Sequence, residues 1–289
     1  MRLNVGEPLM NAGTLASTSP AELIALALAV AASGLIAGTV AGLLGVGGGI
    51  VLVPVLYQAL GFLGVDEAVR MPVAVATSLA TIIPTSIRST LSHNKKGAVD
   101  WDVLKAWALP TVAGVLIGTW LAGVVGGKGL TGVFAGGAGA LGLFMLLGRE
   151  EWRIGTGVPV GAASWPLGFF NGALSVMMGI GGGTFGVTIM TLFGAAIHRA
   201  VATAAGFGLI IAVPGTIGMI VSGWNAQGLP PFSLGYVSLI GLALIVPATI
   251  VSAPWGVALA HSLSRRALRL AFGTFLCLTA ARMAWAYFG

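Results

Sequence analysis

The sequence predicts an all-α polytopic membrane protein of about ten transmembrane segments, arranged as two inverted five-helix repeats. Composition, the spacing of apolar segments and a duplicated glycine motif lead to this fold class. Of the 289 residues, 57% are hydrophobic and only 8% are charged, whereas soluble proteins carry about 25% charged residues. The composition therefore excludes a soluble enzyme, a disordered chain and a nucleic-acid binder.

Ten apolar segments account for most of the chain. A membrane-spanning helix needs about 20 apolar residues, and two of the segments, 50–63 and 184–196, are shorter than that. These two are expected to be short broken helices, and whether they cross the membrane fully stays open. The ten predicted segments are 21–44, 50–63, 70–91, 102–125, 129–147, 157–178, 184–196, 200–222, 234–258 and 267–287.

The segments divide the chain into two halves. A polar N-terminal tail (1–20) precedes a first transmembrane repeat (21–148), and a short cytoplasmic linker (149–156) leads to a second repeat (157–289). If all ten segments cross, ten of the 14 basic residues fall in loops on one side, including Lys95, Lys96 and Arg199. The excess of basic residues marks the cytoplasmic side, so both termini are predicted to lie outside.

Two glycine runs reveal the repeat. Residues 45–49 (GVGGG) are echoed by residues 179–183 (GIGGG), 134 positions later, and each run precedes a short segment. Farther along, 76–78 (ATS) is echoed by 202–204 (ATA), and Pro84 by Pro214. Because each repeat holds an odd number of crossings, the two repeats must be inverted, as in transporters that work by alternating access.

The glycine runs also suggest a binding chemistry. Consecutive glycines disfavour a helix, and backbone N–H groups left free at the start of a short helix can bind an anion. The alternative is close helix packing, which we expect for Gly34, Gly38, Gly114 and Gly118. The predicted solute-binding glycines are Gly45, Gly47, Gly48, Gly49, Gly179, Gly181, Gly182 and Gly183.

Several of these motifs resemble those of the sulfite exporter TauE/SafE family. Residues 34–54 are similar to its first signature, residues 76–101 to its second, and residues 168–183 repeat the glycine signature. The resemblance implies a permease of the bacterial inner membrane that exports sulfite, sulfonates or related small anions. Thr188 stands where a second proline would match Pro54, and Ala204 where a serine would match Ser78, so the second half is expected to bind solute less directly.

Few polar side chains lie within the predicted segments. Thr77, Ser78 and Thr203 can donate hydroxyl hydrogen bonds to an oxyanion, or bond to their own helix backbone. Asn171 precedes the second glycine run and is a candidate for solute contact; the alternatives are that it holds the broken helix, or that it packs or hydrogen-bonds between helices.

No acidic residue lies well inside a predicted segment. This argues against a proton relay of buried carboxylates, and no metalloenzyme motif is present. We therefore expect a transporter for a small anion in the lipid bilayer, with no cofactor, no metal and no enzymatic activity. An anion channel is the first alternative, and a membrane-embedded enzyme or sensor subunit the second. The particular anion, the direction of transport, proton coupling and homo-oligomer formation stay open.

Overall fold

The part of the chain that the structure describes is a bundle of helices with a short β-hairpin. The computed structural model describes residues 21, 28, 30–32, 34–39, 48–148, 152–262 and 265–288, and the predicted tail (1–20) lies outside them. Helical residues occur at Val30–Thr39. The following helices are α1 Gly49–Phe62, α2 Glu67–Lys95, α3 Trp101–Leu147, α4 Ser164–Met177, α5 Gly183–Leu192, α6 Ile197–Ser222, α7 Leu239–Ser262 and α8 Arg265–Phe288, with a 3-10 turn at Gly161–Ala163 and strands β1 Ser233–Leu234 and β2 Val237–Ser238.

Within the described residues, four helices are long and apolar enough to cross a membrane: α2, α3, α6 and Leu239–Gly256 of α7. Helix α3 has 47 residues, far more than one crossing needs, and it is interrupted at Gly126, where φ is 65° and ψ is −170°. This break falls between the predicted segments 102–125 and 129–147. The chain is therefore a multi-pass membrane protein, while the count of ten crossings stays a prediction.

Two predicted segments begin later than expected. The segment 157–178 is helical only from Gly161, whose φ is 69°, because Pro159 and this left-handed glycine oppose an earlier helix start. The segment 234–258 is helical from Leu239, since residues 233–238 form the antiparallel hairpin that turns at Gly235, with Ser233 paired to Ser238. Of the predicted linker, residues 149–151 lie outside the described residues.

One face of α3 is apolar and exposed. Leu109, Leu116, Ile117, Trp120 and Val124 recur at helical spacing and are all largely uncovered. Its opposite face packs on α4 and α6. In water such a stripe would be unfavourable, so its natural surroundings are lipid chains.

Glycine packing brings α3 and α4 into backbone contact. A Cβ built on Gly114 would meet the carbonyl of Phe169, and one on Gly172 would meet the carbonyl of Thr111. Gly118 lies against Ala173 in the same way, and Gly34 and Gly38 lie against α7. The predicted packing role of Gly34, Gly38, Gly114 and Gly118 is confirmed.

Helices α2 and α6 form the antiparallel centre of the bundle. Leu79 and Ser86 of α2 lie against Gly215 and Gly208 of α6, respectively, so residue numbers rise along one helix as they fall along the other. The end of α2 therefore approaches the start of α6. Most of the α2 side chains between Met71 and Ile82 are fully buried.

The short helices of the two halves end in the same way. After α1, Gly64 has φ 72° and Val65 N–H donates to the carbonyl of Leu60, at 3.0 Å. After α5, Gly194 has φ 86° and Ala195 N–H donates to the carbonyl of Met190, also at 3.0 Å. Only glycine adopts such angles without strain, so the repeat is visible in the backbone itself.

Candidate functional site

The two glycine runs start α1 and α5 with the same backbone geometry. Gly48 has φ 73° and ψ −9°, and Gly182 has φ 70° and ψ −7°; each is the residue before its helix. A left-handed residue directly ahead of a helix needs glycine, because a Cβ would be strained there. Gly45 and Gly47 lie outside the described residues.

The two runs meet in the core. A Cβ on Gly49 would collide with the carbonyl of Gly179, which is itself left-handed with φ 66°. Ser78 Oγ donates to that same carbonyl at 2.8 Å. Gly49, in the first turn of α1, thus packs against Gly179, three residues before Gly182, and Ser78 of α2 bonds to the same carbonyl.

Beyond this contact, the second run passes between α2 and α6. A Cβ on Gly181 would lie 2.8 Å from Ile82 Cγ2 and 3.3 Å from Gly208 Cα. Gly181, Gly182 and Gly183 are all buried. The N–H groups in the first turn of a helix have no acceptor within the helix, and the start of α5 is buried in the protein, away from water.

Asn171 of α4 faces the start of α5. A Cβ on Gly182 would lie 3.4 Å from Asn171 Nδ2 and 3.5 Å from Oδ1, so the amide sits beside this left-handed residue. Asn171 is 0% exposed, and neither amide atom has a hydrogen-bond partner among the described residues. A hydrogen bond between helices, one alternative from the sequence, is therefore not observed.

Two further buried hydroxyls on the elements that flank the second glycine run have no hydrogen-bond partner among the described residues. They belong to Ser175, one turn along α4, and Thr184, in the first turn of α5. An unsatisfied buried polar group costs about 1–3 kcal/mol, so these three groups on α4 and α5 are candidates for bonding to a solute. Sequence reasoning missed Ser175 and Thr184, although Thr184 directly follows the second glycine run, where the first run is followed by Ile50.

The predicted threonines have structural partners. Thr77 Oγ1 accepts from the N–H of Ser238 at 2.9 Å, and Thr203 Oγ1 accepts from the N–H of Asp100 at 2.9 Å. Thr77 and Ser238 are called the first junction; Thr203 and Asp100, with Arg199, are called the second junction. Ser78 is likewise engaged, with Gly179.

The two junctions are reciprocal. Asp100 caps α3 by accepting from the N–H of Val103 at 3.2 Å, and Ser238 caps α7 by accepting from the N–H of Gly241 at 3.2 Å. In each junction, a threonine of one half holds the capping residue of the other half. Thr77 lies about one turn farther from the start of α2 than Thr203 lies from the start of α6. The two junctions therefore have the same hydrogen-bond pattern at different positions along their helices.

The second junction alone carries an ion pair. Arg199 Nε lies 3.0 Å from Asp100 Oδ2, with the arginine side chain 63% exposed and the aspartate 21% exposed. The side chains nearest to the second glycine run are uncharged. Ile211 and Asn171 lie against Gly182, and Phe207 and Asn171 lie against Gly186. Among the described residues, no group of three or more His, Cys, Asp or Glu is placed to hold a metal ion.

Comparisons with known proteins agree with this picture of a membrane transporter. The family model described as sulfite exporter TauE/SafE matches residues 30–283. A probable membrane transporter protein of Haemophilus influenzae is 32% identical over 250 residues, covering 86% of this chain and 95% of its own length. Another probable membrane transporter protein, from Methanocaldococcus jannaschii, is 26% identical over 249 residues, which cover 84% of this chain and 90% of the relative. YunE of Bacillus subtilis, a probable membrane transporter protein, is 29% identical over 219 residues, which cover 66% of this chain and 77% of the relative.

No solved structure matches the chain. The family model covers nearly all of both halves, including the part of the first glycine run that lies outside the described residues. With the duplicated glycine geometry and the lipid-facing helices, this match assigns the fold to a known group of membrane transporters. The chain belongs to the sulfite exporter TauE/SafE family.

Proposed function

We propose that this membrane transporter exports a small anion, such as sulfite, a sulfonate or a related sulfur-containing or organic anion, by alternating access. The observations that carry the proposal are the buried contact between Gly49 of α1 and Gly179 of the second glycine run, the left-handed glycines ahead of α1 and α5, and the unpartnered buried amide beside Gly182. A helix N-terminus carries about half a positive charge and free N–H groups. Both features suit a small anion.

Alternation is supported by the placing of the two junctions. Because α2 and α6 run antiparallel, Thr77–Ser238 and Thr203–Asp100 lie toward opposite ends of the pair. Each junction joins one half of the chain to the other. Opening one junction while the other stays closed would expose the central glycine contact to one side of the membrane at a time.

The proposed binding region follows from this arrangement. It consists of the two glycine runs, including Gly45 and Gly47 outside the described residues, with Asn171 beside the second run. Thr77, Ser78 and Thr203 act in the proposal by holding the surrounding helices, because each has a protein partner in this conformation.

The membrane potential is a sufficient driving force for export. The distribution of basic loop residues places Lys95, Lys96 and Arg199 in the cytoplasm of a bacterial cell, with the chain in the inner membrane. A potential that is negative inside favours outward movement of each negative charge by about 2.3 kcal/mol per 100 mV. Facilitated export of an anion then needs no proton-carrying residue.

Counterflow of labelled sulfite in proteoliposomes tests the proposal. Vesicles loaded with unlabelled sulfite should accumulate external labelled sulfite transiently above its equilibrium level, because a carrier exchanges solute one molecule at a time. Equilibration without an overshoot would identify a channel instead. No protein-dependent uptake of sulfite, methanesulfonate or acetate would contradict anion transport altogether.

A further inference from the structure

The two glycine-led helix starts differ in the side chains that face them. At the first, the residue against left-handed Gly48 is Ala37, whose carbonyl lies 2.7 Å and whose Cβ lies 3.4 Å from a Cβ built on Gly48. At the second, the residue against Gly182 is Asn171. Ala37 and Asn171 are 134 positions apart, the same spacing as the glycine runs, so they occupy equivalent places in the repeat.

The difference extends to the helices themselves. Thr184 in the first turn of α5 corresponds to Ile50 in the first turn of α1, and Ser175 corresponds in sequence to Ala41, which lies outside the described residues. Three polar side chains of the second half thus stand where the first half has alanine or isoleucine. The three polar ones are fully or almost fully buried, and each has a polar atom without a hydrogen-bond partner among the described residues.

We propose that the transporter has one anion site, in its second half, formed by Asn171 Nδ2, the hydroxyls of Ser175 and Thr184 and the first N–H groups of α5, and that it selects singly charged oxyanions over doubly charged ones. This inference rests on the proposed function and narrows its binding region, which included both glycine runs, to the second run. The first glycine run then serves the fold: the atoms nearest to Gly48 belong to Ala37, those nearest to Gly49 belong to Gly179, Ser78 and Ile82, and the Ser78 hydroxyl is already engaged with Gly179.

The preference for one charge follows from the kind of donors present. The proposed donors are a neutral amide, two hydroxyls and backbone N–H groups, and Ile211 and Phe207 lie against the same glycines. The cost of removing an ion from water rises with the square of its charge, whereas the attraction of neutral dipoles rises only in proportion to the charge. A site without a cation can therefore balance the desolvation of a monoanion but not that of a dianion.

Equilibrium binding to the purified full-length chain tests the site, with sodium methanesulfonate as the monoanion probe and sodium sulfate as the dianion probe at matched ionic strength. We expect methanesulfonate to bind at least about tenfold more tightly than sulfate. Thr184→Val, Ser175→Ala and Asn171→Leu should each weaken methanesulfonate binding by about tenfold, the effect of losing one hydrogen bond to a charged group. The matched control Ile50→Val, at the equivalent place in the first half, should leave binding unchanged.

Stability without ligand separates binding from folding. Thr184→Val and Ser175→Ala remove hydroxyls that have no protein partner, so the ligand-free variants should unfold at the same temperature as the parent or above it. Lower unfolding temperatures in both variants would show a structural role and overturn the proposal.

Three other results would also overturn it. Sulfate binding as tight as methanesulfonate binding would contradict the charge selection, and an equal loss in Ile50→Val and Thr184→Val would contradict a site confined to the second half. Sulfite counterflow without any methanesulfonate binding would remove this site and leave the proposed function standing. Loss of the proposed function would appear separately, as absent counterflow for every anion tried.

Discussion

The two halves of the chain share a backbone design but not a side-chain chemistry. Both start a short helix at a left-handed glycine, end it at another, and hold the other half through a threonine that accepts from a capping residue. Only the second half sets Asn171 and Thr184 beside its glycine run, and only the second junction has an ion pair. The two halves thus share the backbone geometry of their helix starts, helix ends and threonine contacts, and differ in the polar and charged side chains beside them.

The largest expected effect comes from adding a methyl group at the two left-handed glycines. Gly48→Ala should destabilise the protein more than Gly182→Ala, although both incur about 1–2 kcal/mol for the left-handed backbone. At Gly48 the new Cβ would lie 2.7 Å from the backbone carbonyl of Ala37, whereas at Gly182 it would meet the flexible end of Ile211. Thermal unfolding in detergent measures the order, and the reverse order would contradict the described contacts.

Removing the threonine hydroxyls should have a smaller effect than Gly48→Ala, which adds a clash with a backbone carbonyl to the left-handed strain, and should rank the two junctions. Thr77→Val leaves the buried N–H of Ser238 without its acceptor and should cost about 1–3 kcal/mol, and Thr203→Val should cost about 1 kcal/mol because the Asp100 N–H is less buried. Thr119→Val is a suitable control, since its hydroxyl bonds only to Val115 of its own helix. Equal unfolding temperatures for Thr77→Val and Thr119→Val would show that the first junction adds nothing.

The ion pair of the second junction should matter least. Arg199→Gln should lower the free energy of unfolding by at most about 1 kcal/mol, because the arginine is largely exposed. The loss should shrink in high salt, where exposed charges are screened. Asp100→Asn should give the same small change, since asparagine still caps α3; a much larger loss in Asp100→Asn would mean that the carboxylate acts through the cap rather than through Arg199.

Sequence could predict the backbone features because glycine and proline constrain the chain locally. The two helix starts at Gly48 and Gly182, the break in α3 between two predicted segments and the packing glycines on α3 all follow from residue type and spacing. The late start of α7 depends on a hairpin whose strands have two residues each, too short to give a pattern.

The roles of the polar residues were harder to predict, since they depend on contacts between distant segments. Thr77 and Ser238 are 161 positions apart, and Thr203 and Asp100 are 103 apart. Ser175 and Thr184 look ordinary in sequence because serine and threonine usually bond to their own helix. The expectation that the second half binds solute less directly rested on Thr188 and Ala204 and stays a prediction, whereas the site proposed from Asn171 and Thr184 lies in the second half.

Locking each junction in turn tests alternation most directly. With the single cysteine removed by Cys277→Ala, one variant carries Thr77→Cys with Ser238→Cys and another carries Thr203→Cys with Asp100→Cys. In each pair the threonine Oγ1 lies 2.9 Å from the backbone nitrogen of the other residue, so the two positions are neighbours, and loss of free thiols shows whether the disulfide forms. Sulfite counterflow is measured in proteoliposomes before oxidation, after it and after reduction. Either disulfide should stop counterflow, and reduction should restore it. Counterflow at the uncross-linked rate with either disulfide formed would contradict alternation at these junctions.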